Sequence, residues 1–179
     1  VSGDGSTAIG ASGSTVSGDV SISLGSLNDI SGDNSNSLGS SNNVSGNLSF
    51  AVGDNNTIEH NNSIIIDVAG NGSSMTGAGS IGNSIIGSDN STITFPANFN
   101  DIIGGNNNEI SGPTAFSGIT LSGSSKITYA SAYSSIVGAQ SSEIMNGSFS
   151  NITGGSGSSI NYTGLSAIIN SSFSTIGDP

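Results

Sequence analysis

Apolar residues recur along this chain at a fixed interval, with polar residues between them. Ile30-Ser31-Gly32-Asp33-Asn34-Ser35-Asn36-Ser37-Leu38-Gly39 is answered, at a constant offset, by Val44-Ser45-Gly46-Asn47-Leu48-Ser49-Phe50-Ala51-Val52-Gly53. Taking the apolar residue that opens each repeat, the register runs Val1, Val16, Ile30, Val44, Ile58, Met75, Ile93, Ile110, Ile127, Ile144, Ile160 and Ile176. A second landmark, usually Gly behind an apolar residue, falls at 10, 25, 39, 53, 67, 87, 104, 121, 138, 154 and 170; Asp67, Leu121 and Asn170 are the exceptions. A sustained period of this length predicts a solenoid in which each repeat is one coil resting on the last. Each coil reads as two short strands, rich in β-branched residues and Ser, joined by bends of Gly, Asn and Asp. The expectation is an all-β parallel solenoid of about eleven 14–18-residue coils.

The register changes character between Asp67 and Gly87. Openings are closely spaced from Val1 to Ile58 and more widely spaced from Ile58 onward. The residue two before the landmark is Ala8, Ser23, Ser37 and Ala51 early, then Ile85, Ile102, Ile119, Ile136, Ile152 and Ile168. We read two subregions of one continuous solenoid, residues 1–74 with short coils and 75–179 with longer ones.

Three columns follow from the counting. Ser6, Ser21, Ser35, Ser49, Ser63, Ser117, Ser134, Ser150 and Ser166 stand four before their landmarks, where a hydroxyl can satisfy a turn amide or its neighbour one rung away. This column is scaffold and not a set of nucleophiles, since His60 is the only histidine. Phe99, Phe116, Tyr133, Phe149 and Leu165 stand five before theirs and are expected to stack about 4.8 Å apart. Core or interface packing is the expected role of those rings, in preference to an exposed sugar-stacking strip. Glu109, Lys126 and Glu143 precede three successive openings and are expected to neighbour one another on one face, contributing under ~1 kcal/mol.

Composition narrows the chemistry. Only 32% of the 179 residues are hydrophobic and 7% charged, which without the repeat would suggest disorder. One lysine against 12 acidic residues gives a net charge of −11, so nucleic acid and anionic membranes are improbable partners. No cysteine is present, and no apolar run approaches the roughly 18 residues of a membrane helix. Neither an initiating Met nor a signal peptide opens the chain, and we expect an excised segment of something longer. Asp4, Asp19 and Asp33, continued by Asn47 and Asn61, form a column that calcium could use; a turn column is expected instead, because the G-G-x-G-x-D pattern is absent. No catalytic, cofactor-binding or metal-ligating residues are assigned. Asn-x-Ser/Thr sequons begin at Asn43, Asn47, Asn55, Asn61, Asn71, Asn90, Asn146, Asn151, Asn161 and Asn170, as a chain this rich in Asn and Ser produces by chance.

At Ser6-Thr7-Ala8-Ile9-Gly10, Ser35-Asn36-Ser37-Leu38-Gly39 and Ser49-Phe50-Ala51-Val52-Gly53 the chain resembles the head repeats of trimeric autotransporter adhesins, with similar repeats in phage and large-virus fibre proteins. The segments Ile103 to Gly112 and Phe173 to Gly177 look like the longer variant of these repeats. The resemblance implies a left-handed β-roll assembled as a homotrimer, and a non-enzymatic adhesive or fibre role outside the cell. The carrier would be a bacterial surface, reached through an outer-membrane anchor lying elsewhere, or a virion. Partners would be the chain itself and a host receptor, glycan or matrix protein. An inert spacer and a solenoid enzyme are the other two classes; the enzyme lacks clustered carboxylates or a basic residue in a groove. In a trimer, adjacent apolar pairs such as Ile102-Ile103 and Ile136-Val137 would turn one residue inward and one toward the shared axis. Ala8, Ser23, Ser37 and Ala51 are expected at that axis, where small side chains would let subunits approach closely.

Overall fold

A computed structural model shows a parallel β-solenoid. It describes residues 1–179 except 11, 68–71, 78, 88–89, 95–97, 105, 113–114, 121–122, 129–131, 139, 146–147, 155, 162–163, 170–171 and 178–179. Two eleven-stranded parallel sheets face each other, and the chain alternates between them. The first sheet runs from Thr7–Ile9 through Ile22–Ser26 and Asn36–Ser40 to Ala167–Ile169. The second runs from Thr15–Val16 through Asp29–Ile30 and Asn43–Val44 to Ser174–Ile176. No helix occurs among the described residues, and so none long and apolar enough to cross a membrane.

The register is that of the repeat. In the second sheet Val16 pairs with Ile30, Ile30 with Val44 and Val44 with Ile58, and the series continues through Met75 to Ile176. In the first sheet Ala8, Ser23, Ser37, Ala51, Ile65 and Ile85 form the matching column. From Val16 to Ile160 in the second sheet, and along the first-sheet column, these side chains point inward. The core is therefore a single ribbon, with residues from Val16 to Ile160 packed against Ala51, Ile65 and Ile85 through Ile168.

This placement corrects the expectation for the small residues. Ser23, Ser37 and Ala51 are fully buried inside the coil, and Ala8 packs against the same core. They do not stand at an outer boundary. Strand alternation turns the following residues outward: Ile9, Leu24, Leu38 and, in the later coils, Ile86 and Ile103. A short early coil encloses too little cross-section for two large side chains, so an aliphatic residue from one sheet meets Ser or Ala from the other. From Ile65 onward both sheets supply Ile, apart from Met75. Each fully buried Ile contributes about 1.5–3 kcal/mol of transfer free energy, so the later coils gain roughly twice the apolar burial per turn.

The narrow early interior is completed by polar ladders. Asn42 Nδ2 donates to Ser37 Oγ at 3.1 Å and to the Gly53 carbonyl at 2.7 Å, while its Oδ1 accepts the Asn56 amide at 3.0 Å. Asn28 and Asn56 occupy the same position in the neighbouring coils, and all three side chains are buried. At the other corner Ser21, Ser35 and Ser49 each accept an amide from the next serine and donate to a carbonyl of the coil above. Asn83 and Asn100 carry that ladder onward to the Ser117 amide. In the early coils each rung thus satisfies groups that burial would otherwise leave without partners.

The landmark glycines serve two geometries. At Gly25, Gly39 and Gly53 φ is 116–125° and an added Cβ would collide with the backbone of the next coil. At Gly87 and Gly138 φ is 62–66° and the same position opens on empty space. Landmarks Leu121 and Asn170 lie outside the described residues.

Candidate functional site

Two surface features stand out, both built by the first sheet. The outward residues of its strands form a column in register from end to end: Ile9, Leu24, Leu38, Val52, Ile66, Ile86, Ile103, Thr120, Val137, Thr153 and Ile169. In the early coils a second column beside it is also largely apolar, through Ile22, Phe50 and Ile64 with Asn36 between them. Ile22, Leu24, Leu38 and Phe50 line a depression of about 350 Å³. From Ser84 onward the second column turns polar: Asp101, Gly118, Ser135 and Asn151. Eleven strands at about 4.8 Å place the ends of this face some 50 Å apart, longer than the isolated apolar patches of monomeric proteins.

The second feature is the aromatic column. Phe99, Phe116, Tyr133 and Phe149 stack with ring centroids 5.4, 5.2 and 5.1 Å apart and planes within 11° of parallel. The stacking follows the repeat, but the environment does not match core packing. The four rings are 51–55% exposed, and Leu165, which follows them, is more exposed still. Their backbone explains it: φ is 55–58° at each ring and 39° at Leu165, the left-handed corner conformation that swings the side chain off the strand and outward. Gly5, Asn34, Asn62 and Gly82 hold this corner in other coils, residues that accept positive φ at little cost, and the exposed Val20 and Leu48 share it.

The remaining candidates are structural. Asp19, Asp33, Asn47 and Asn61 each accept, through a side-chain oxygen, the backbone amide of the residue one coil earlier, at 2.7–2.8 Å. Among the described residues no group of three His, Cys, Asp or Glu is placed to hold a metal ion. Glu109, Lys126 and Glu143 are register partners on three adjacent strands of the second sheet. His60 is buried, its Nδ1 3.1 Å from Asn83 Nδ2. Burial lowers its pKa below the ordinary 6.5. Of the sequon asparagines, Asn43, Asn47, Asn55, Asn61, Asn90 and Asn151 are exposed and Asn161 is half-buried. Asn71, Asn146 and Asn170 lie outside the described residues.

The buried Asn28–Asn42–Asn56 ladder and the outward column of the early coils were missed by the sequence reasoning. The first had a signal, since Asn or Ser stands two before every opening from Val16 to Ile160. The second was obscured because its inward neighbours are Ala8, Ser23, Ser37 and Ala51, which hydropathy does not assign to a core, and because both members of Ile65-Ile66 are apolar. Compared with models of known protein families and with curated protein sequences, the chain matches none.

Proposed function

We propose that this chain is a segment of an extracellular fibre that assembles as a homotrimer and attaches its carrier, a bacterial cell or a virion, to a host or surface. The observation that carries the proposal is the largely apolar outward column of the first sheet, interrupted by Thr120 and Thr153. Side chains such as Ile9, Leu24, Leu38 and Ile103 are exposed along its length, and a soluble chain gains by covering them. Three copies around an axis parallel to the strand stacking would cover all three faces and close the assembly. The early coils, with two apolar columns, offer the broader contact. The resemblance of Ser35 to Gly39 and Ser49 to Gly53 to adhesin head repeats supports the same reading, including left-handed coils. Weak surface contacts multiplied threefold would then supply avidity. A shaft without receptor binding is the second reading, favoured by the Ser- and Asn-rich outer corners.

Light scattering on the 179-residue chain tests the assembly: a mass of three 17.4 kDa copies is expected. A folded monomer at micromolar concentration would refute the trimer. Binding of the trimer to immobilised glycans or matrix proteins separates adhesion from a pure shaft.

A further inference from the structure

We infer that the aromatic column is a seam between copies, in which the rings of one copy pack against the glycine bends at the opposite edge of its neighbour's first sheet. The inference rests on the threefold assembly proposed above and names the residues that meet in its long-coil half. Chain direction is the first argument. Phe99, Tyr133 and Phe149 each stand two residues before a first-sheet strand, and Gly104, Gly138 and Gly154 directly follow the same strands. These strands are parallel, so every ring lies at the edge where the chain enters the sheet and every glycine at the edge where it leaves. Three such sheets facing a common axis bring the entry edge of each copy to the exit edge of the next, because a threefold ring joins unlike patches. Rotation alone relates the copies, so each ring meets the bend of its own coil. Phe99 then meets Gly104 of the neighbour, Tyr133 meets Gly138 and Phe149 meets Gly154.

The two edges suit each other in shape. The rings stack face on face, with centroids 5.4, 5.2 and 5.1 Å apart, and so present a row of edges outward. At Gly104, Gly138 and Gly154 φ is 62–70°, and at Gly138 no atom lies within 4 Å of an added Cβ. A ring edge, the positive part of the aromatic quadrupole, can lie directly on such a bare bend. In the early coils both edges differ. Strands such as Ile22–Ser26 and Asn36–Ser40 run on through the landmark glycine, and Val20, Asn34 and Leu48 hold the entry corner.

Area and continuity point to a second copy as the occupant. Beside Ile103 and Val137 the long coils carry the polar column Asp101, Gly118, Ser135 and Asn151, so their sheet face offers one apolar column where the early coils offer two. Four half-exposed rings add about 300–500 Å². That is roughly half of the ~800 Å² per partner in a stable interface, and the apolar column along the same sheet supplies the remainder. Charge is nearly absent from this band, as in the core of an interface. Glu109, Lys126 and Glu143 lie on the second sheet, and Asp101 accepts a hydrogen bond from Ser84.

The chain has no cysteine, so cross-linking can test the seam. Tyr133→Cys and Gly138→Cys are combined in the full chain, which is oxidised and run on a denaturing gel without reductant. Within one copy the strand Ser135–Val137 separates the two positions by more than the ~7 Å between Cα atoms that a disulfide tolerates. We expect covalent dimers and trimers, no larger species, and no links in either single variant. Phe116→Asn and Tyr133→Asn install the residue that Asn34 and Asn62 already provide at this corner, so the fold is retained. Each should raise the concentration at which the trimer dissociates about tenfold, with circular dichroism unchanged. Links in either single variant would reveal a two-fold contact and overturn the inference. A trimer by light scattering that does not cross-link, or whose dissociation midpoint is unchanged in both Asn variants, would overturn the seam while the threefold reading stands. A folded monomer would overturn both.

Discussion

Replacing Gly32 and Gly138 separately by alanine tests the central feature of the packing, which is that early coils touch backbone to backbone. Gly32 has an ordinary φ, so an alanine there meets no dihedral penalty. Its Cβ would instead overlap the Gly46 carbonyl oxygen and lie 2.6 Å from the Gly46 carbonyl carbon, against 3.4 Å or more in ordinary contacts. Backbone cannot rotate away as a side chain can, so the two coils must part locally. The bonds at risk are Ser31 N–H to the Val44 carbonyl (2.9 Å), Gly32 N–H to the same oxygen (3.2 Å) and Ser21 Oγ to the Gly32 carbonyl (2.9 Å). Two or three hydrogen bonds at about 1 kcal/mol each, with about 1–3 kcal/mol of overpacking, give a cost of roughly 3–5 kcal/mol. Gly138 presents the opposite case. Its φ is 62°, no atom lies within 4 Å of the added Cβ, and its amide bond to Thr120 survives substitution. Only the left-handed penalty remains, about 1–2 kcal/mol. Urea unfolding followed by circular dichroism at 218 nm, roughly the β-sheet minimum, should rank Gly32→Ala well below Gly138→Ala. Because stacked coils need not unfold together, an added early phase is also expected for Gly32→Ala. Equal midpoints for the two variants would refute the close-contact argument.

Two further outcomes follow from the interior. Asn42→Ala should cost about 2–4 kcal/mol, because the Asn56 amide and Gly53 carbonyl lose their partner inside the coil; the exposed neighbour change Asn43→Ala should cost under about 0.5 kcal/mol in the same urea assay. The pKa of His60 is lowered by burial, so the unfolded chain binds the proton more readily than the folded one. The stability this gives is complete above the unfolded value near 6.5 and declines as pH falls through 6.5 toward the lower folded value. His60→Gln should flatten that part of the urea-midpoint profile relative to the parent chain, and an unchanged slope would show that other groups carry the dependence.

Much of the fold could be read from the repeat because a stacked coil imposes one buried position per strand per turn. Counting openings places Val16 to Ile176 in a single column and sets Glu109, Lys126 and Glu143 side by side, as the strand register does. What counting could not decide was the direction of adjacent apolar side chains. Ile102 and Ile103 are chemically identical, and only the position of the bend fixes Ile102 as interior. The same ambiguity sent Ala8, Ser23, Ser37 and Ala51 to the wrong side, since hydropathy argues against filling a core with serine. The interior accepts it because Asn28 and Asn42 donate to Ser23 and Ser37. For the aromatic column, spacing gave the stack, while hydropathy did not show that the rings stand outside the core of the coil. The corner residues Gly5, Asn34, Asn62 and Gly82 were the available clue, being types that accept the left-handed conformation.

The passage from short coils to long ones raises a packing problem, and His60 and Asp67 mark where it is met. His60 stands two residues after Ile58, where Gly3, Gly18, Gly32 and Gly46 stand in the coils before it. At those glycines the next coil is so close that no Cβ is admitted. At His60 an imidazole fits and is fully buried, because the following coil is longer: the step from Ile58 to its partner Met75 exceeds the step from Val44 to its partner Ile58. Asp67 likewise replaces a landmark glycine and is buried against Ser73 Oγ at 2.9 Å. Asn83 continues the serine ladder, its amide donating to Ser63 Oγ, and its side chain lies 3.1 Å from His60 Nδ1. Beyond this coil the cross-section is wide enough for Ile from each sheet: Ile replaces the Ser and Ala of the first-sheet column, while Asn and Ser remain buried at the corners. A large residue at a glycine position is therefore tolerated only where the adjoining coil lengthens. Moving the histidine one coil earlier, as Gly46→His, would place its Cβ within 2.5 Å of the His60 carbonyl carbon and should abolish folding of the short-coil stack.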